Sequence, residues 1–439
     1  MNDIKQIYSK FTRSEGVTTD SRVVNNGMIF FAIKGEKFNG NRFALKAIEQ
    51  GADYAIVDDP AVAGSHQKFI HVEDALKTLQ QLANYHRKQL RAPVIAITGS
   101  NGKTTTKELL SITIRKKFKI YATPGNLNNH IGLPLSILQV TREDEYVILE
   151  FGANHPGENA FLANIAEPDM GLITNIGKDH LEGFGSPEGV KNANAELFDY
   201  LEKNNGKAFV NYDDPAVLEI GKKLKHKGYG KYLTNGPEYA GKIASSEFYL
   251  KVRIANEPNI ANRDLTIFTH LVGGFHFSNV MCAYAVSREL GISAAQVKNA
   301  IESYIPDNNR TQVIKTAYNT IIMDAYNANP SSMELIVKEF AWKGNMQSKM
   351  LILGDMNELG KYAEKEHKII SEWIGKNFSG DVLLVGKEFG KCAGLIKNAR
   401  HFSTTDELIE YLAKYKLSEK HILIKGSRSF ELERAKKYL

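Results

Sequence analysis

The stretch VIAITGSNGKTTTKELL, Val94 to Leu110, constrains this chain more than any other. It opens on a short apolar run after Pro93, consistent with a buried strand. Downstream, Leu109 with Ile112 and Leu110 with Ile114 fall at helical spacing, which predicts a helix opening near Lys103. Strand, small polar loop and helix together are the context of a phosphate-binding loop, where backbone N–H groups and the helix dipole face an anion. One glycine of the usual G-x-x-x-x-G-K-[ST] pattern is missing, because five positions before Gly102 stands Ile97. A plain Gly/Thr-rich turn that happens to contain lysine is the competing reading. The run Gly-Lys-Thr-Thr in this context favours a variant loop, with Lys103 as a point charge on the outer phosphates and Thr104 as a hydroxyl for Mg²⁺.

A chain of 439 residues is too long for one core and suits two or three domains. With 43% hydrophobic and 24% charged residues, it has the composition of an ordinary globular protein. No apolar run approaches the roughly 20 residues of a membrane span, and Met1 to Lys5 show no signal-peptide core. Only Cys282 and Cys392 occur, far apart, so neither a disulfide framework nor a zinc spacing is expected. These features predict a cytoplasmic protein without membrane insertion. The net charge of +6 favours an anionic substrate. The basic residues are scattered and not interleaved with aromatics, so no nucleic-acid partner is expected.

Three segments are expected. The first, 1–91, holds two strand-like runs, GMIFFAIKG and GADYAIVDD, around the helix-like NRFALKAIEQ. The second, 92–307, starts with the phosphate loop and carries the apolar runs Val147–Leu149 and Leu172–Thr174. SYIPDNNR, Ser303 to Arg310, reads as a linker because Pro306 and the Asp/Asn cluster break the preceding helix. The third, 308–439, repeats a strand-then-polar pattern in TIIMDAYN, MLILGDMNELG, DVLLVG and HILIKGSR, with helical stretches between. Alternating strands and helices predict parallel sheets, whose ligands collect at the C-terminal strand ends.

The candidate chemistry sits at those ends. Glu150 closes YVILE, where a carboxylate beside a phosphate loop suits Mg²⁺. His180 lies in the Gly-rich loop TNIGKDHLEGFG, a place for metal or phosphate work. Asp324, Tyr326 and Asn327 offer a carboxylate for ribose hydroxyls, an aromatic face and an amide. Arg310, at the linker, reaches phosphates if the third segment closes over the second.

TGSNGKTTT, TPGNLNNHIGLP, LEFGANHPGE, NIGKDHLEGFGS, DAYNANP, LGDMNELG and KGSRS, in this order, resemble the Mur ligases of peptidoglycan synthesis. The N-terminal DSRVVNNGMIFFAIKGEKFNGNRFALKAIEQGADYAIV resembles a uridine-binding domain of that family. The resemblance implies three α/β domains: a small N-terminal one, a central P-loop-type, mostly parallel sheet with helices on both faces, and a Rossmann-like C-terminal one. YNANP, GDMNELG and KGSR speak for the member that adds D-alanyl-D-alanine to UDP-N-acetylmuramoyl-tripeptide through an acyl phosphate. Another amino-acid-adding Mur ligase or a folylpolyglutamate-synthetase-like ligase is the runner-up, and an ATPase or regulator that joins no substrates is the reading from another class. By resemblance, Gly99, Ser100, Asn101, Gly102, Lys103, Thr104 and Thr105 hold ATP phosphates, with Lys103 on the transferring group. Thr104, Glu150 and His180 match metal positions; Lys103, Glu150 and His180 form the expected catalytic set. Asn279, Arg310, Asp324, Tyr326 and Asn327 match positions around the nucleotide; Ser21, Arg22, Asn126 and Asn129 match substrate positions. ATP and Mg²⁺ are the implied cofactors, and a monomer is the expected state.

This chain departs from the family in places. His276 stands where Asn is usual, and Asn309 replaces the Gly before the linker arginine. In GVKNANAELF, Asn194 takes the position of a lysine that many Mur ligases carbamoylate to hold a second Mg²⁺. Asn194 shares a helical face with Val190, Leu197 and Leu201, so it is expected to point inward and offer an amide oxygen. Lys191, three residues earlier, competes for the carbamate role, though a solvated helix lysine is its plainer reading.

Overall fold

The computed structural model describes residues 3–35, 38–231, 236–255, 265–342 and 348–439. Glu36 and Lys37 of the uridine-domain stretch lie outside the described residues. Near the N-terminus, Val17–Thr18, Ile29–Phe31, Tyr54–Val57 and Phe69–His71 form a parallel sheet in chain order.

The central sheet is built around Val94–Thr98, buried at every position. Met170–Ile173 and Tyr146–Glu150 flank it, and Lys207–Asn211 and Ile120–Ala122 lie outside them, all parallel. Ile95 and Ile97 pack with Leu109, Leu110 and Met281 on one face. Val94 and Ala96 pack with Leu162, Leu197 and Leu201 on the other. A strand covered by helices on both faces buries every side chain, which is why this stretch reads as a continuous apolar run. Beyond Lys207–Asn211 the sheet continues through His226–Lys231 and Tyr239–Ser245, then turns antiparallel through Tyr249–Ile254 and Leu265–Val272. That antiparallel edge departs from the expected strand–helix alternation. Its signature is local: Leu250, Val252 and Ile254 are buried while Lys251 and Arg253 face solvent.

The third sheet runs Gln312–Lys315, Thr320–Asp324, His421–Lys425, Lys349–Gly354, Asp381–Val385, Ala399–Phe402, parallel apart from its first pair. The two edge strands, Gln312–Lys315 and Ala399–Phe402, were not expected from sequence; they are short and carry no more than two apolar residues in a row, so no apolar run marks them. Between the sheets, the helix Ala294–Ser303 ends at Tyr304 and no regular element follows until Gln312, as Pro306 requires. The C-terminal strand ends of the central and third sheets meet across one cleft, which places their loops face to face. Among the described residues no helix is long and apolar enough to cross a membrane.

Candidate active site

The phosphate loop explains its own missing glycine. Ile97 lies inside the strand, paired with Glu150 on one side and Leu172 on the other, so no turn begins there. The turn begins at Gly99, whose φ is +126° and whose Cβ would sit 2.2 Å from the Thr174 hydroxyl. Gly102 has φ +81° and a Cβ position 2.7 Å from Asn279 Oδ1, so a side chain is excluded there too. The loop is a shortened one and both its glycines are required. The Asn175 amide braces it: Asn101 N donates to Asn175 Oδ1 at 3.1 Å, and Asn175 Nδ2 donates to Asn101 O at 2.8 Å. Ser100 Oγ donates to the buried Asp179 carboxylate and accepts from Gly177 N. Lys103 opens the helix Lys103–Ile114, half-buried and not fully exposed as a loop-end residue would be, with its ammonium turned back onto the Gly99 carbonyl.

Glu150 ends its strand 2% exposed, a buried carboxylate at the cleft wall. Asn128 Nδ2 donates to its Oε1 at 2.9 Å, and Lys107 Nζ stands 3.7 Å from its Oε2. Oε2 is buried without a hydrogen-bond partner, an orphaned anionic oxygen of the kind a hard cation satisfies. Thr104 lines the same cleft. Among the described residues no cluster of three or more His, Cys, Asp or Glu side chains could cage a metal. This donor set fits Mg²⁺, which is commonly held by one or two carboxylates plus phosphate and water oxygens.

His180 sits in the left-handed region at φ +44°, one-fifth exposed, with Nδ1 2.5 Å from Glu358 Oε2. The bond to His180 holds the Glu358 carboxyl below its ordinary range.

Across the cleft, Arg310 lies with its guanidinium carbon 3.8 Å from the Tyr326 ring centroid, a cation–π contact. Asp324 has both oxygens engaged: Oδ1 accepts from Thr311 N at 3.0 Å and Oδ2 from the buried Lys425 ammonium at 2.6 Å. Asn327 is exposed at the rim. Asn279 and His276 form a chain in which Asn279 Nδ2 donates to His276 Nδ1 and His276 Nε2–H donates to Thr311 Oγ1 at 2.9 Å. Burial pushes the His276 imidazole down to about 4, partly opposed by the Asp324 and Glu339 charges, so it is neutral at pH 7. Asn309, the other departure, has φ +57°, a left-handed position that asparagine tolerates better than most residues.

One cleft of about 560 Å³ thus gathers Ser100 to Thr105, Asn126, Asn129, Glu150, His180, Asn279, Arg310, Asp324, Tyr326 and Asn327. Asn129 reaches it with its carbonyl already accepting from Ile131 N and Gly132 N, as an amide closing a turn. Gly99 lies beneath, as the backbone support of the loop. Ser21 and Arg22 are not among the lining residues; Arg22 is turned onto Asp20, whose carboxyl it holds at about 2. Asn194 points inward, 3% exposed, yet it offers no oxygen to the cleft. Its Oδ1 lies 3.1 Å from the Thr98 hydroxyl and its Nδ2 donates to Val190 O. Lys191 pairs with Glu219 at 3.0 Å outside the cleft.

Asn128, Lys107, Lys425 and Glu358 are the site residues that sequence reading missed. All lay inside quoted motifs, but a motif does not say which of its polar residues turns inward. For Lys107 a signal existed, since it falls four residues after Lys103, one turn along the same helix face.

Residues 97–287 match the Mur ligase middle domain, 309–428 the Mur ligase glutamate ligase domain, and 13–87 the Mur ligase family catalytic domain. The chain is 32% identical over 427 residues to the UDP-N-acetylmuramoyl-tripeptide–D-alanyl-D-alanine ligase of Bacillus subtilis (strain 168), covering 95% of this chain and 91% of that protein. The ligase of the same name from Escherichia coli (strain K12) is 32% identical over 429 residues, covering 95% and 92%. MurF from Acinetobacter baumannii superposes with a TM-score of 0.86 at 26% identity, covering 99% of this chain and 97% of that one. The MurF ligase of Thermotoga maritima, solved in complex with ADP, gives 0.84 at 26% identity over 100% and 98%.

Proposed function

The chain belongs to the Mur ligase family, and from that premise we propose that the cleft between its central and third sheets is where the reaction takes place. The enzyme is an ATP-dependent, ADP-forming ligase that adds D-alanyl-D-alanine to UDP-N-acetylmuramoyl-tripeptide in peptidoglycan precursor synthesis. Residues 1–91 bind the UDP substrate through the Ser21–Arg22 stretch, 92–307 bind ATP, and 308–439 form the ligase domain. It works in the cytoplasm as a monomer.

A free carboxylate is a poor electrophile, so the tripeptide carboxylate first attacks the γ-phosphate of ATP, breaking its bond to the β-phosphate, and becomes an acyl phosphate as ADP leaves. The D-alanyl-D-alanine amine then displaces phosphate. The first step brings two anions together, and the residues here oppose that repulsion. The loop N–H groups and Lys103 hold the phosphates from the helix N-terminus; when the nucleotide arrives, Lys103 exchanges the Gly99 carbonyl for a phosphoryl oxygen. Thr104, Glu150 and His180 are the residues that would hold Mg²⁺, which supplies charge stabilisation at the transferring group. Arg310 approaches from the other side of the cleft, oriented by the Tyr326 ring. Closing the third domain over the site keeps water from the acyl phosphate.

The single observation that carries this assignment is convergence: residues scattered from Ser100 to Tyr326 in the chain line one cavity. Phosphate release measured with each substrate omitted tests it. Release is expected only with UDP-N-acetylmuramoyl-tripeptide and D-alanyl-D-alanine both present; comparable turnover with ATP alone would favour the ATPase reading.

A further inference from the structure

The one cleft imidazole in the expected metal set, His180, is held by a carboxylate from the opposite side of the cleft. Glu358 follows the strand Lys349–Gly354 of the third sheet and turns its Oε2 to within 2.5 Å of His180 Nδ1. Nδ1 is buried, and the Glu358 carboxylate is set against it at ion-pair distance, although the ring N–H is not aligned on that oxygen as a hydrogen bond would require. Both residues take left-handed backbone, φ +44° at His180 and φ +62° at Glu358, conformations that cost a non-glycine residue and persist where surroundings enforce them. The surroundings here are a docked loop. Glu182 N donates to Glu358 O at 3.1 Å, and Tyr362 Oη donates to Gly185 O at 3.2 Å.

A carboxylate beside Nδ1 favours the tautomer with the proton on that nitrogen, which leaves the Nε2 lone pair free for a cation. Asn194 adds weight to this contact. It is an uncharged amide engaged with Thr98 and Val190, and no residue of the helix Pro187–Lys203 lines the cleft, so that helix supplies no anion there. We propose that Glu358 is a positioning residue: docked from the third domain, it fixes the tautomer and ring orientation of His180 so that Nε2 binds a divalent cation, which makes that ligand complete only when the domains are together. The proposal rests on His180 being a metal ligand, as assigned above.

The test uses the full-length enzyme with Mn²⁺ and β,γ-methylene-ATP, reading Mn²⁺ affinity by titration and imidazole nitrogen coupling by electron spin-echo spectroscopy. The expected pattern is coupling in the native enzyme, none in His180→Ala, and weakened coupling with about tenfold lower Mn²⁺ affinity in Glu358→Ala, the lower end of what losing such a partner costs. Glu358→Gln keeps an acceptor oxygen and should recover part of both. Tyr362→Phe removes a docking bond without touching His180 and should change neither. Coupling that survives His180→Ala would remove the histidine from the metal, and the proposal with it. Coupling lost in His180→Ala but unaltered in Glu358→Ala would leave His180 a ligand and overturn the role of Glu358. A Tyr362→Phe loss equal to that of Glu358→Ala would do the same, since docking alone would then explain the effect.

Discussion

Glu150 shows how a single buried atom can define a task. Its Oε1 is satisfied by Asn128 and its Oε2 is not, while the Lys107 ammonium stands 3.7 Å away as a partial counter-charge. Glu150→Gln preserves shape and removes the anion, so the Mg²⁺ concentration giving half-maximal activity is expected to rise about tenfold or more, in the range seen when a metal's supporting groups are lost. An unchanged Mg²⁺ titration would take Oε2 off the metal. Lys191 makes the opposite case. Its ammonium is engaged by Glu219 outside the cleft, so Lys191→Ala is expected to retain activity, with no recovery on adding short carboxylic acids. His276 links pH to stability. Its imidazole titrates near 4 when folded and near 6.5 when unfolded, so between those values the unfolded chain binds a proton that the folded one refuses. Stability therefore rises with pH across that window and is lost as pH falls toward 4. A second proton would also set an N–H against the Asn279 amide N–H. His276→Asn is expected to shrink the difference in urea-unfolding free energy between pH 7 and pH 4.5 by about 2 kcal/mol, at 1.36 kcal/mol per pKa unit with allowance for relaxation. Equal pH dependence in both proteins would mean that other groups set the acid limb.

At the scale of elements, the linker is moored to the phosphate-loop helix. Glu108 lies on Lys103–Ile114 and accepts from Tyr304 Oη and, at 2.7 Å, from Asn308 Nδ2. Burial, reinforced by the Glu108 charge, raises the Tyr304 phenol well above its ordinary range, so it stays a donor at every working pH. Glu108→Ala is expected to lower stability by about 1–2 kcal/mol, since two charge-assisted bonds are lost at a half-exposed site. It should also reduce kcat several-fold with little change in affinity for the UDP substrate. A urea titration and a calorimetric titration check the two halves separately. This mooring was not legible in the sequence, although both of its ends were. SYIPDNNR announced a linker through Pro306, and KTTTKELL announced a helix through its apolar spacing, but nothing in either says that Glu108 faces Tyr304 nearly 200 residues on. The parallel strands were legible for a related reason. Burial on both faces leaves an uninterrupted apolar run such as Val94–Thr98, whereas the antiparallel edge at Tyr249–Ile254 buries one face and leaves an alternation that a search for apolar runs passes over.

The whole molecule is held across the cleft by a small apolar patch, where Leu181 and Phe184 meet Met356 and Leu359, and by polar bonds around it. Asn329 Nδ2 donates to Asn101 Oδ1, Lys178 N donates to Ser331 Oγ, and Lys178 Nζ pairs with Glu366, each at 2.9 Å. An interface of this mixed, largely polar kind suits domains that part and close again. These juxtapositions carry no local sequence signature, because each partner is an ordinary surface residue until the other domain arrives. Arg310 is placed where that closure matters most. It stands just past the linker, belongs to the third domain, and lines the cleft opposite Lys103 with its guanidinium seated on Tyr326. On the proposed assignment, opening the domains would withdraw it from the nucleotide without disturbing Ser21 or Arg22. Arg310→Ala is therefore expected to lower kcat/KM for ATP by about a hundredfold, the scale of losing one fixed donor at a developing charge. Affinity for UDP-N-acetylmuramoyl-tripeptide, measured by calorimetry on the same variant, should stay within about threefold of native. Arg310→Lys should recover little, because a lysine cannot reproduce the planar stacking on Tyr326 or the forked contact with a phosphate. Equal losses in ATP turnover and in UDP-substrate binding would place Arg310 in the substrate site, and full rescue by lysine would reduce its part to bare charge.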